Sequence, residues 1–172
     1  ISFNNLNFSY KNQRMAVDGK ITKNPRDTLE MNFSDINLNY VNFFFLKGNL
    51  KFNGIINGKA KFADLYDKPT FQSDLFIDTL LLNDNKIGNT RITSRWINNK
   101  EEIGLKVLSK RGDLKTVDLN GEYDPSNQSL QFDANLDKVR MGILNPILQK
   151  SFSDFNGALS GYLKLSGTLN NP

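Results

Sequence analysis

Phe155-Asn156-Gly157-Ala158-Leu159-Ser160-Gly161-Tyr162-Leu163-Lys164-Leu165-Ser166-Gly167-Thr168-Leu169 reads as an extended strand throughout. Leu159, Gly161, Leu163, Leu165, Gly167 and Leu169 fall on one face, and Ser160, Tyr162, Lys164, Ser166 and Thr168 on the other, the period of two that marks a strand. The stretch occurs earlier as Phe52-Asn53-Gly54-Ile55-Ile56-Asn57-Gly58-Lys59-Ala60-Lys61, with residue numbers lower by 103, and the match runs ungapped to Pro69 and Pro172. Ile56, Gly58, Ala60 and Phe62 keep the apolar face there, and Lys59 and Lys61 the polar one. Upstream, with small gaps, Gly19 pairs with Gly121, the Leu29 to Phe33 pattern with Leu130 to Ala134, and Ile36 with Leu136. The chain therefore reads as fewer than two turns of a long repeat: 1–69 ends one copy and 70–172 is the second, in one continuous β structure. Beginning at Ile1 and stopping part-way through a repeat, it reads as a piece cut from a longer protein.

Further strands follow the same rule. Ile1 to Tyr10, Met15 to Thr22, Thr28 to Phe33, Asn49 to Phe62, Phe71 to Leu82, Thr90 to Ile97, Ile103 to Leu108, Leu114 to Tyr123, Leu130 to Leu136 and Gly157 to Leu169 alternate apolar with polar. Asn24-Pro25, Asp67-Lys68-Pro69, Asn98-Asn99-Lys100, Arg111-Gly112-Asp113 and Asp124-Pro125-Ser126-Asn127 punctuate them as turns. Short turns between regular strands make an antiparallel meander the default. Two places depart from it. Val139 to Phe152 reads as a short helix with Asn145-Pro146 as N-cap and first-turn proline. Its counterpart, Tyr40 to Leu46, is shorter and more aromatic and reads as a helical plug, a strand or an apolar contact surface.

Composition removes much chemistry. The 172 residues include no His and no Cys, which excludes Ser-His-Asp and Cys-His nucleophile systems, thiolate or imidazole zinc sites and disulfides. The carboxylates do not cluster, and Asn83-Asp84-Asn85-Lys86-Ile87-Gly88 lacks the ligands of a calcium loop and reads as a hairpin turn. The paired glycines lie inside strands with no helix start after them, so they do not cradle phosphate. No catalytic residue, metal site or cofactor site is expected. A net charge of +4, spread at alternate strand positions, reads as a solvated face and not as a nucleic-acid patch. No apolar run reaches the roughly 18 residues of a membrane helix.

An apolar side this extensive must be covered. Leu75 and Ile77, Ile92 and Trp96, Leu105 and Val107, Val117 and Leu119, and Leu130 and Phe132 extend it beyond the two copies. Either the sheet closes on itself as a dry sandwich, or it bends into a trough that meets a hydrophobic ligand. Gly58, Gly161 and Gly167 on the apolar face favour bending, because a strand bends most easily where no side chain crowds the concave side. Repetition favours the trough, since stacked troughs share a groove. The fold expected is all-β, an antiparallel, curved, folded-over sheet with an apolar interior and one or two short helices. Its groove floor would be Ile56, Phe62, Leu75, Ile77, Leu105, Val107, Leu119, Phe132, Leu163 and Leu165.

The run from Phe155 to Pro172 resembles the recurrent glycine-rich segment of TamB-like proteins, the translocation and assembly module of Gram-negative envelopes. The order of elements before it, strand then short helical insertion, is similar too. The first copy departs from the pattern: Asp64 replaces the last glycine, and Tyr66-Asp67-Lys68 precedes Pro69. The resemblance implies a very long periplasmic protein, anchored in the inner membrane and working with an outer-membrane barrel partner of the Omp85 type. It further implies a role in outer-membrane protein assembly and in moving phospholipid between the two membranes. The abundance of Asn and Lys suits an AT-rich genome, such as that of a Bacteroidetes species. On that reading acyl chains, or another apolar cargo, lie on the floor while headgroups stay in water. A second reading is a chaperone that lends a sheet edge to outer-membrane protein strands. A lipid-facing barrel would need aromatic girdles that are missing here, and a carbohydrate-binding sandwich would need an aromatic platform around Trp96 and Tyr10.

Overall fold

Alternation and turn chemistry together produce ten strands. In the computed structural model, which describes residues 1–40, 42, 51–97, 100–144 and 157–168, these are β1 (Ser2–Tyr10), β2 (Gln13–Lys20), β3 (Thr28–Asn37), β4 (Phe52–Ala63) and β5 (Thr70–Leu82). They continue as β6 (Asn85–Ile97), β7 (Glu102–Arg111), β8 (Leu114–Asp124), β9 (Ser129–Arg140) and β10 (Ala158–Thr168). All belong to one sheet in sequence order, and every ladder is antiparallel. The tight turns carry the residues they need. Asn83 and Asp84 both take positive φ (49° and 63°) between β5 and β6, the mirror-image turn that matches the twist of a hairpin. Lys11 (φ 56°) and Gly112 (φ 63°) serve the β1–β2 and β7–β8 turns.

Four odd-numbered strands share a device that alternation alone would forbid. Asn5, Asp35, Thr79 and Lys138 hold φ near 50° at bulges where the register shifts. Each bulge lets two apolar residues three apart, such as Phe33 and Ile36 or Ile77 and Leu80, face the same side. The backbone N–H turned out of the ladder is satisfied from the next strand. It donates to Asp18 Oδ1 (3.0 Å), Asn57 Oδ1 (2.9 Å), Asn89 Oδ1 (3.1 Å) and Ser160 Oγ (2.9 Å) respectively.

The best-buried part lies at the end bearing the β5–β6 and β7–β8 turns. Ile77, Ile87 and Val139 are buried there with three hydroxyl side chains, Thr90, Ser109 and Thr116. These hydroxyls are satisfied internally: Thr90 Oγ1 and Ser109 Oγ lie 2.9 Å apart, and Thr116 Oγ1 donates to the Ile87 carbonyl at 2.8 Å, reaching past β7 from β8 to β6. Arg111 donates to the Lys138 carbonyl at 3.2 Å in the same region. Burying a hydroxyl without such a partner would cost about 1–3 kcal/mol.

Two expectations change. The sheet is open, since β1 and β10 each pair on one side only among the described residues, and it is not strongly curled where a folded-over trough was expected. The helix expected from Val139 does not begin there. The Lys138 bulge carries β9 onward, so that Val139 pairs with Leu159 and Arg140 with Ala158. A 3-10 turn, Met141–Leu144, follows, and the rest of that predicted helix lies outside the described residues. A second 3-10 turn among the described residues is Leu38–Tyr40, and most of the aromatic stretch after it, 43–46, is also outside them. Among the described residues there is no α-helix.

Candidate functional site: an apolar sheet face

Partners in a ladder share a face, so the register fixes which side chains stand together. One row runs across all ten strands as Phe8, Met15, Phe33, Gly58, Leu75, Ile92, Val107, Leu119, Ala134 and Leu163. Beside it runs Leu6, Val17, Met31, Ala60, Ser73, Ser94, Leu105, Gly121, Phe132 and Leu165. On the far side of the first row stand Ile36, Ile56, Ile77, Thr90, Ser109, Val117, Leu136 and Gly161. Next to the second stand Phe3, Gly19, Leu29, Phe62 and Phe71, then Ile103, Tyr123, Leu130 and Gly167. All ten floor residues expected from the sequence, with Gly58, Gly161 and Gly167, therefore share one face.

Burial varies across that face. Ile77 is 3% exposed, whereas Leu163 and Leu165 on β10 are 52% and 38% exposed. Ile56, Phe62, Leu75, Leu105, Val107, Leu119 and Phe132 are half-buried. The Phe62 and Phe71 rings meet at 4.9 Å between centroids, tilted by 41°. In the middle the side chains become small: Ala60, Ser73 and Ser94 are buried, and the two serine hydroxyls bond each other at 2.8 Å. The face thus presents apolar groups and no unpaired polar ones at its centre. Trp96 belongs to this face through its partner Ile103, while Tyr10 sits at the β1 tip opposite Gln13, so the two do not form a platform.

Gly58 has a steric reason to be glycine. Its φ is +130°, and a Cβ there would stand 2.2 Å from the Asp74 carbonyl oxygen on β5. Gly161 keeps a φ of +155°, but a Cβ there would meet nothing within 4 Å.

The opposite face is ionic. Glu30 pairs with Lys61 at 2.9 Å, Arg91 with Asp74 at 2.7 Å through a two-pronged contact, and Lys100 with Glu122 at 2.7 Å. Asp133 accepts from Tyr162, with Lys164 Nζ at 3.7 Å. Such exposed pairs are screened by water and salt and contribute little to stability. Two cavities, of about 710 and 320 Å³, have their charged linings on this side: Arg95, Lys106, Glu122 and Asp133 in the larger, Glu30, Lys59, Lys61 and Asp74 in the smaller. Neither has the lining an acyl chain would need.

Glu102 and Glu122 form a carboxyl pair whose members shift in opposite directions. Burial, then the neighbouring Glu122 carboxyl, holds Glu102 above the usual carboxylate range; the hydrogen bond from Lys100 holds Glu122 below it. A raised carboxyl contributes stability that is present below its ordinary range and lost as pH rises through its folded value. Glu102→Gln is therefore expected to stabilise the fold at about pH 7 relative to wild type, with little effect at about pH 4. Urea midpoints at the two pH values check this, and an equal shift at both would contradict it. Asp74 behaves oppositely: its hydrogen bonds from Arg91 hold it low, so its contribution disappears on acidification.

Sequence reasoning missed the bulges, the hydroxyl pairs and the polar-face cavities. Among the described residues no cluster of His, Cys, Asp or Glu is arranged to hold a metal ion. Comparisons with protein-family models, with curated proteins and with solved structures found no match.

Proposed function

We propose that this chain is a segment of a TamB-like envelope protein whose apolar β surface carries phospholipid acyl chains between the inner and outer membranes. The observation that carries the reading is the unbroken apolar face across ten strands, with no second sheet over it among the described residues. In the full-length protein this face runs between an inner-membrane anchor at one end and an outer-membrane barrel of the Omp85 type at the other. The protein stands in the periplasm and supports outer-membrane biogenesis. It acts without catalysis or cofactor.

The physics of such a conduit is simple. Each methylene shielded from water is worth about 0.8 kcal/mol, so a long acyl chain is held without any specific polar contact. Movement needs that free energy to stay nearly level from strand to strand, and the row from Phe8 to Leu163 carries no polar side chain on any of the ten strands. Headgroups remain in water at the rim, near the lysines of the polar face.

In-cell photo-crosslinking tests this, with a probe at Phe62 and at Leu165, each compared with its outward neighbour Lys61 or Lys164. Lipid adducts confined to the apolar-face probes are the expected result. Adducts only within the chain would mean a packed core and overturn the reading. Adducts to other polypeptides would favour instead a chaperone for outer-membrane proteins.

A further inference from the structure

We propose that the larger cavity of the polar face is a binding site for an oxyanion, phosphate or carboxylate, borne on a hydroxylated body such as a polyol phosphate. The cavity, about 710 Å³, spans β6 to β9 and so lies inside the sheet, away from its edges. Its size is that of an ordinary small-molecule site. It stands on the side of the sheet opposite the apolar floor, so the inference goes beyond the function proposed above and does not rest on it.

The charges around the cavity do not balance. Its two carboxylates are already answered by groups outside its lining: Glu122 by the Lys100 ammonium at 2.7 Å, and Asp133 by Tyr162 and by Lys164 Nζ at 3.7 Å. Its two cations are not. Arg95 and Lys106 are exposed, and among the described residues neither has an ion-pair or hydrogen-bond partner. Arg95 stands opposite Gly104, and Lys106 lies two residues further along β7, which makes the two cations diagonal neighbours about 7–8 Å apart at the backbone. Left alone, these like charges repel. One oxyanion between them would remove the repulsion, taking the guanidinium fork on two oxygens and the ammonium on a third.

Gly104 supplies the space. Glycine inside a strand weakens it, and marks a bulge or the close approach of another backbone or of a ligand. Gly58, Gly88 and Gly121 have the backbone reason, since a Cβ on them would stand 2.2, 2.1 and 2.3 Å from a carbonyl oxygen of the next strand. Gly104 has neither backbone reason. It holds no positive φ, the register on both sides of it is unshifted, and a Cβ there would meet only side chains, Ile97 Cδ1 at 3.2 Å and Arg95 Cγ at 3.7 Å. What it leaves open is the gap between its two ladder partners, Arg95 on β6 and Glu122 on β8. A ligand is the remaining occupant. Ile97 offers that ligand's carbon skeleton an apolar wall, and the amides of Asn120 and Gln131 in the lining can both donate to and accept from its hydroxyls.

Backbone amide NMR of the whole chain tests this, with glycerol phosphate as the soluble probe, glycerol at matched ionic strength as the uncharged control, and phosphatidylglycerol vesicles as the membrane-borne source. Saturable shifts centred on Gly104 with glycerol phosphate, and none with glycerol, are the expected result. Arg95→Gln and Lys106→Gln should each weaken that binding about tenfold, and Gly104→Leu should abolish it by filling the space. Lys110→Gln, which removes an equal charge from the same strand outside the cavity, should leave it unchanged. The spectra show directly whether each variant is folded. Vesicle binding with the same dependence on Arg95 and Lys106, in place of the soluble response, would support the site and assign its oxyanion to a lipid headgroup. Absence of both responses, shifts that never saturate, or equal weakening by Lys110→Gln would overturn the proposal. Lipid crosslinking at Phe62 and Leu165 probes the opposite face, so failure of one reading leaves the other standing.

Discussion

Gly58→Ala is expected to destabilise the fold by about 2–5 kcal/mol, from the positive φ and from the carbonyl it would displace. The Asp74 oxygen 2.2 Å from the new Cβ is backbone, locked in the β4–β5 and β5–β6 ladders, and cannot swing aside as a side chain would. The lower conformational freedom of alanine in the unfolded chain returns only about 0.4–1 kcal/mol. Gly161→Ala, at the equivalent place in β10, has the backbone cost without the collision and should lose about 1–3 kcal/mol. Urea unfolding of the two variants measures the difference. Equal losses would mean that the close approach of β4 to β5 does not constrain the sheet.

Ile77→Ala should cost about 2–5 kcal/mol, because the side chain is removed from the best-packed end and its neighbours there cannot fully close the gap. Leu165→Ala is expected to cost under about 1 kcal/mol, since much of that side chain is already in water. Denaturant midpoints separate the two. The contrast also divides the apolar face into a part that holds the protein together and a part available to a ligand. A Leu165 variant that unfolds as easily as the Ile77 variant would place Leu165 in a packed interior.

All ten strands could be read from the sequence because each sets apolar residues at every second position between turn residues. Their edges were harder. The sequence reading stops β9 at Leu136 and takes Val139 to Phe152 as a helix on the strength of Asn145-Pro146, while Leu136-Asp137-Lys138-Val139 breaks the period of two. The structure resolves the break as a bulge. The same signature, an apolar pair enclosing two mostly polar residues, stands at Phe3-Asn4-Asn5-Leu6, Phe33-Ser34-Asp35-Ile36 and Ile77-Asp78-Thr79-Leu80. Its recurrence at strand ends was the available clue. The small gaps needed between the two copies have the same origin. In the structure Phe33 matches Leu136 and Ile36 matches Val139, both at the single offset of 103 that already relates β4 to β10. The floor residues were legible as a face because side-chain alternation survives any curvature. How far the sheet bends was not, since curvature is set by register shifts and close backbone approaches that composition does not encode.

The strict neighbour-to-neighbour order of the ladders has a kinetic consequence. No strand waits for a distant part of the chain: each can add as soon as the one before it is in place, at the entropic cost of closing one connection, short except between β3 and β4 and between β9 and β10. Folding can therefore start at any hairpin and spread in both directions, as in other linear arrays. A chain delivered end-first through a narrow channel could be structured strand by strand as it emerges, without holding a long unpaired segment open to aggregation.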